Sequence, residues 1–345
     1  MIEVDGSLKS GSGTILRLSI AIAAILRQPL HIINIRQRRS QPGLRPQHLE
    51  AVLTAAKLCK AEVEGAKINS KELWFKPKEV EGGRVEAEIG TAGSIPMLLM
   101  TVLPICLFSK SAVQLRVLKG GTDVPNSPTI NYMRYVFIPV LRRMGVNAII
   151  NVQKYGYYPR GMGEVILRVE PCNELKPLVL ESFGTLKSIN GISLCTFLAE
   201  RRVAERQAAA ANKNLSERGY KAEIQIVNDK SNPLQKGSSL VLWAESDKGA
   251  VLGADSIGEI HKPSETIGKE AAEKLLREIE SKATVDVHLA DMLILYIALA
   301  KGRSAYLTRT ISDHLETNIW LAETLLGVKF KVDRINGIYK VEKAG

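Results

Sequence analysis

Aromatic residues make up only 5% of the sequence, too few for a platform on which successive bases stack, so a general single-strand binder of that design is excluded. No apolar run reaches the length of a membrane span. Met1-Ile2-Glu3-Val4-Asp5 carries neither the basic nor the apolar region of a signal peptide, and a soluble, cytoplasmic protein with no membrane partner is expected. Cysteine is scarce as well: Cys59, Cys106, Cys172 and Cys195 are scattered in apolar settings without metal-ligand spacing. They read as reduced, mostly buried residues of a reducing compartment. The five histidines form no H-x-x-x-H pattern, so no structural metal site is visible. Gly11-Ser12-Gly13 lacks a following Lys-Ser or Lys-Thr, which excludes a P-loop.

What is abundant is basic charge. Lys plus Arg is 47 against 36 for Asp plus Glu, a formal net charge of +11, which suits nucleic acid, a nucleotide or an anionic membrane, with the distribution of the charge to decide. At 345 residues with 45% hydrophobic content, the chain can bury a large core and exceeds one ordinary domain.

Along the chain, the periodicities predict strands at 2–4 and 30–35, helices at 15–26 and 46–60, and strands at 62–64 and 72–76. The order is β-α-β-α-β-β. It recurs as a strand at 85–89, a helix at 94–107, a strand at 113–118, a helix at 129–144 and strands at 148–152 and 164–169. A third copy starts at Leu178-Val179-Leu180, breaks off, and resumes with helices at 287–300 and from His314, and strands at 305–308, 329–332 and 338–341. Between its halves lie strands at 191–199, 222–227, 239–244 and 250–254 and helices at 204–219 and 264–281. The expected fold is α/β (α+β), three repeats around a pseudo-threefold axis, residues 1–183 with 283–345, and a smaller α/β domain, 184–282, inserted in the third. Repeats around a common axis gather equivalent loops on one face.

Four loops then become candidates for one cleft. The turn at 308–313 leads into a helix marked by Leu315, Ile319, Ala322 and Leu326 and stopped by Gly327. Asp313 and Glu316 have the D-x-x-E form of a capping box, which puts His314 in the first turn among unpaired N–H groups. Such a terminus attracts phosphate and keeps an imidazole neutral. Two readings stand: a histidine able to attack phosphorus, and a solvated histidine at a helix start. The glycine loop at 6–13, with Lys9 and Arg17 nearby, reads as a phosphate approach or as a plain strand-to-helix turn. Arg36, Arg38, Arg39 and Arg45 crowd a loop stiffened by Pro42-Gly43; they read as forks for phosphate or as a solvated basic loop. Without interleaved acids such a loop repels itself unless an anion binds. The fourth loop, 120–128, is polar and glycine-rich. His288, Asp291 and Met292 share one face of a helix start, where Asp291 can accept from a ribose hydroxyl or an amine and His288 reads equally as an ordinary polar residue.

Six segments stand in the order found in a known family: Pro-Gly-Leu-Arg-Pro-Gln-His-Leu (42–49), Gly-Thr-Ala-Gly-Ser (90–94), Gly-Gly-Thr-Asp (120–123), Gly-Tyr-Tyr-Pro-Arg-Gly-Met-Gly (156–163), His-Leu-Ala-Asp (288–291) and His-Leu-Glu-Thr-Asn (314–318). Through them the chain resembles the RNA 3′-terminal phosphate cyclases over nearly its whole length. The resemblance implies the three-repeat fold with its insertion, and a ligase that uses ATP and a divalent metal, Mg or Mn. It implies that His314 attacks the α-phosphorus to form a histidine–AMP adduct, that AMP passes to the 3′-phosphate of an RNA, and that the 2′-OH displaces it to leave a 2′,3′-cyclic phosphate. By the same resemblance Met100, His288, Leu289, Ala290, Asp291 and Met292 match the segments that hold the nucleotide. Arg17, Arg36, Arg38, Arg39, Arg45 and Gln47 are assigned to the RNA end. Ser10 stands where the family usually has a glutamate near the metal, Met100 and Met292 where it has glutamines, and Met162 where it has a glycine. Metal ligands are therefore left unassigned. The alternative is a weak or inactive cyclase-like scaffold for RNA or ribosome assembly; an enolpyruvyl transferase shares related repeats but not these motifs.

Overall fold

The computed structural model describes residues 1–172 and 174–345. The first sheet contains β1 (Ile2–Asp5), β2 (Leu30–Ile33), β3 (Glu62–Glu64) and β4 (Leu73–Lys76) in the order β1-β2-β4-β3. Its first pair is parallel and the other two antiparallel. Helices α1 (Gly13–Leu26) and α2 (Pro46–Cys59) follow β1 and β2. The second sheet repeats this pattern with β5 (Gly83–Glu88), β6 (Val113–Gly120), β7 (Ala148–Lys154) and β8 (Gly163–Val169) in the order β5-β6-β8-β7. Between its strands run α3 (Ile95–Cys106) and a helix that starts as α4 (Ile130–Tyr132), widens into a π turn at Met133–Phe137 and ends as α5 (Ile138–Arg143).

After β9 (Val179–Leu180) the chain builds a separate sheet. Its strands are β10 (Leu186–Thr196), β11 (Glu223–Asp229), β12 (Gly237–Ser246) and β13 (Val251–Ile257), ordered β11-β10-β12-β13. Helices α6 (Val203–Ser216) and α7 (Ser264–Ser281) pack against it, over a core that includes Ile189, Leu240, Leu252 and Leu275. The interrupted sheet then closes with β14 (Ser304–Thr308), β15 (Phe330–Ile335) and β16 (Ile338–Lys343), with β9 parallel to β14 and the order β9-β14-β16-β15. Three sheets thus share one strand order, first-second-fourth-third. Helices α8 (Val287–Leu299) and α9 (Asp313–Leu326) complete this last unit.

The helices of the three like units bury against each other because their sequences are apolar on several faces. In α3, Leu98, Leu99, Val102, Leu103 and Ile105 are buried, and in α8 so are Leu289, Leu293, Ile294 and Ile297. One continuous apolar core runs from Ile15 and Ile22 through these residues to Leu315 and Val341.

Two expectations shift. β10 begins at Leu186 and ends at Thr196, ahead of the expected 191–199, because Phe197 takes a left-handed φ of 52° and Ala199–Arg201 coils into a 3-10 turn. The cap of α9 is Ser312, not Asp313: its hydroxyl accepts from Leu315 N–H at 2.9 Å. With Leu315 three residues on, no reciprocal capping box forms, and Asp313 and Glu316 stay in the first turn as favourable charges.

The inserted sheet is tied to the rest through Asp286, the cap of α8. The Tyr132 hydroxyl contacts both carboxylate oxygens at 2.8 and 2.9 Å, and Gly253 N–H donates to one of them at 2.8 Å. Removing the hydroxyl strips a buried anion of a donor. Tyr132→Phe is expected to lower stability by about 1–3 kcal/mol, read as a reduced urea midpoint with unchanged slope; an unchanged midpoint contradicts this role for the pair.

Candidate active site

Helix starts converge on one cleft. Thr14 from α1, Met97 from α3, His288 from α8 and His314 from α9 all line it, each within the first three residues of its helix. The caps Ser12, Ser94, Asp286 and Ser312 each accept N–H groups of the first turn. The remaining N–H dipoles point outward, so the cleft floor favours negative charge before any cation is counted. The cleft encloses ≈ 580 Å³. Met97, Met100, Phe137, Met292, Leu295 and Tyr296 give it an apolar patch, and Val124 to Pro128 one rim. Asp255, Ser256, Ile257, Glu259 and Lys274 of the inserted segment close another side.

His314 sits inside this cleft, part-buried. Its Nδ1 lies 3.2 Å from Thr14 Oγ1, and Arg17 Nη2 donates to the same oxygen at 3.0 Å. Burial holds the imidazole below its ordinary pKa, and the positive charges of Arg17 and Arg39 push the same way while Asp313 opposes them. The neutral state expected from the helix terminus therefore has a stronger cause, desolvation among cations. Arg17 makes no ion pair among the described residues. Burial, Arg36 and Arg39 pull its pKa down to about 10, which leaves the guanidinium charged at neutral pH. A half-buried, charged, unpaired arginine beside four helix starts is a seat for an anion.

The arginine-rich loop divides its labour. Arg36 donates to the carbonyls of Gln41 and Gly43, both at 2.8 Å, and Arg38 to that of Lys9 at 2.7 Å. Arg38 also lies across Gly11, where a Cβ would meet its side chain at 2.4 Å. Arg45 donates to Asn69. Protein oxygens thus hold three of the loop's four arginines, while burial and, after it, Arg39 and Arg45 still lower the pKa of Arg36. Arg39 has no such partner among the described residues and acts on His314 by its charge. Gln47 accepts from Ser94 N–H at 2.7 Å and braces the 90–94 loop.

Asp291 faces the cleft and fixes α9 against α8. It accepts the Ser312 hydroxyl at 2.6 Å, and its carbonyl takes Asn318 Nδ2 at 2.8 Å. Burial pushes its carboxyl up to about 7, against the lowering effect of Ser312. His288 and Met292 line the cleft with it, as does Met100. Leu289 and Ala290 do not: both are fully buried in the core, because the helical turn that aims 288, 291 and 292 at the cleft aims 289 and 290 inward.

Sequence reasoning missed Thr14, Lys274 and His48. His48, 5% exposed, rests against Gly13, where a Cβ would meet Nε2 at 2.4 Å. Burial, then Arg17, Arg36, Arg45 and Arg39, drive its pKa down to about 2. Its place in the 42–49 motif was the one available signal. Lys274, which donates to Asp255 O and Ser256 Oγ, had none. Among the described residues no three His, Cys, Asp or Glu side chains converge as a metal cage.

Fold and site together define a class: an α/β protein built on a recurring four-stranded unit, with a neutral histidine and an unpaired arginine in an anion-favouring cleft. A family model for RNA 3′-terminal phosphate cyclase matches residues 8–332. Proteins named RNA 3′-terminal phosphate cyclase from Pyrobaculum aerophilum (46% identity; 100% of this chain, 98% of the relative), Pyrococcus furiosus (43%; 96% and 95%) and Methanosarcina barkeri (41%; 99% and 99%) are similar throughout. The chain belongs to the RNA 3′-terminal phosphate cyclase family, a family of ligase-type enzymes.

Both depressed histidines have a pH consequence. As pH falls below 6.5, the unfolded chain protonates them first, so each costs the folded state up to about 1.4 kcal/mol per pH unit until its own folded pKa is reached. Imidazole NMR is expected to show His314 titrating below 6.5 and His48 not titrating between pH 4 and 9. Arg17→Met, which removes a neighbouring cation, moves the His314 midpoint upward; a downward move overturns the electrostatic account.

Proposed function

We propose that this protein uses ATP to convert an RNA 3′-terminal phosphate into a 2′,3′-cyclic phosphodiester, with His314 as nucleophile. The observation that carries the reading is His314 itself, kept neutral by burial beside Arg17 and Arg39 in a cleft where helix starts favour phosphate. In the reactive tautomer Nδ1–H donates to Thr14 Oγ1, which also accepts from Arg17. Nε2 then keeps a lone pair for the α-phosphorus. The new N–P bond forms as the bond to pyrophosphate breaks, and Arg17 and the helix N–H groups offset the charge that accumulates.

The 3′-phosphate of RNA next attacks the adduct, breaking N–P and regenerating the imidazole. The vicinal 2′-OH, losing its proton, then attacks the 3′-phosphorus and expels AMP. The last step explains a preference for RNA, since DNA has no 2′-OH. The apolar patch around Met97, Met100, Phe137 and Met292 suits an adenine ring, and Asp291 and His288 suit the polar part of a nucleoside. A divalent ion, Mg or Mn, is proposed to arrive on the nucleotide phosphates, because Ser10 brings no carboxylate and no protein cage forms among the described residues.

Incubation with α-labelled ATP and a divalent metal is expected to give an acid-labile protein–AMP adduct that His314→Ala abolishes; an adduct that survives the substitution sinks the mechanism. No adduct in the parent protein favours the scaffold reading instead. Thr14→Val is expected to slow adduct formation about tenfold, the rate equivalent of one hydrogen bond. A DNA 3′-phosphate is expected to become adenylated and stop there, which thin-layer analysis of the ends would register.

A further inference from the structure

The 156–163 segment joins β7 to β8 and has no part in the chemistry proposed above. Its inner residues are held firmly. Tyr157 is 4% exposed, and its hydroxyl pairs with Thr196 Oγ1 at 2.8 Å. Asn232 Nδ2 donates to Tyr155 O at 2.6 Å, and Ser231 Oγ accepts from Tyr155 N–H at 3.2 Å. Thr196 Oγ1 in turn donates to Asp229, whose carboxylate also takes Ser231 Oγ. The β7–β8 loop is therefore cross-linked to the loops that follow β10 and β11 of the inserted sheet.

The outer residues of these loops are of another kind. Tyr158 is 71% exposed, whereas among the other aromatics only Phe108, at 36%, counts as exposed. Two residues on stands Arg160, exposed; the other loops add Arg201, Arg202, Lys230 and Lys236, also exposed. These five form no ion pair among the described residues, although most exposed lysines and arginines of the β5–β8 sheet face, such as Arg116 and Lys119, are paired. Within residues 155–162, 197–202 and 230–236 the only carboxylate is Glu200. An open tyrosine on a hydrogen-bonded loop, with unpaired cations on the loops bonded to it, suits a stacked base with flanking phosphates.

The loops are rooted at the cleft. Asp123 bridges to Tyr157 immediately before the Val124–Pro128 rim. Gly258 N–H donates to Ser238 O, two residues beyond Lys236, and its neighbours Ile257 and Glu259 line the cleft. On the other flank Gly161 sits against Thr91 and Ala92, and Gly93 against Gln47.

We propose that this surface binds the single-stranded RNA upstream of the 3′-terminal phosphate, with a base stacked on Tyr158 and backbone phosphates against Arg160, Lys230, Lys236, Arg201 and Arg202. The inference rests on the RNA-end reading above and gives the body of the substrate a site separate from the cleft. Filter binding with a 3′-phosphorylated RNA of about 15 nucleotides and with a 3′-phosphorylated dinucleotide tests it without chemistry. Tyr158→Ala is expected to weaken the long RNA about tenfold. Arg160→Gln with Lys230→Gln and Lys236→Gln should lower the salt slope by about 2, at roughly 0.7 per phosphate lost. Dinucleotide binding should stay within about twofold, Arg160→Lys should restore most of the Arg160 share, and thermal melting checks the fold. Parent-like binding of the long RNA by the triple variant, or equal loss for both ligands, overturns the proposal. A parent protein that makes no AMP adduct yet shows this dependence on length and on Tyr158 overturns the cyclase reading and leaves the surface standing.

Discussion

Asp286, 2% exposed, takes donors from three parts of the chain: the Tyr132 hydroxyl, the Gly253 N–H of the inserted sheet, and the His288 and Leu289 N–H groups of its own helix. A buried carboxylate is tolerated only when it is this well supplied. Because its donors are directional, it sets how α8 starts. The helix then has one angular setting, which puts His288, Asp291 and Met292 on the cleft and Leu289 and Ala290 in the core. Tyr306 adds a bond to Ala290 O at 2.8 Å that holds the same rotation. Through Asp291 and Ser312 the setting passes to α9 and so to His314.

The cleft that results is electrostatically one-sided. Several helix N-termini and Arg17 line it, Arg39 adds its charge to His314, and the desolvation that makes an unpaired guanidinium costly also keeps His314 and His48 neutral. In the proposed reaction the incoming polyphosphate offsets part of this cost. Asp255 and Glu259 limit this field on the side where the inserted segment closes the cleft, and Asp291 lines it from α8.

Much of the fold was legible because the recurring unit alternates clear two-residue and 3.6-residue periods, and three sheets with one strand order follow from three similar stretches of chain. The boundary errors were local: the Phe197 backbone and the choice of Ser312 over Asp313 as cap turn on single hydrogen bonds and dihedral angles that periodicity does not carry. The arginine-rich loop shows a different limit. Charge density there pointed to anions, yet Arg36, Arg38 and Arg45 reach acceptors on Lys9, Gln41, Gly43 and Asn69, which no spacing rule connects.

The sequence by itself determined the elements, their recurrence, and a histidine at a helix start, since these depend on neighbours a few residues apart. Only the tertiary structure decided what surrounds that histidine. Thr14 and His314 meet across 300 residues, and Lys274 and Asp255 arrive from α7 and β13 of the inserted segment. A local pattern can say that an imidazole stands at a helix terminus. Its protonation depends on excluded water and on charges brought near by folding, and those are properties of the assembled cleft.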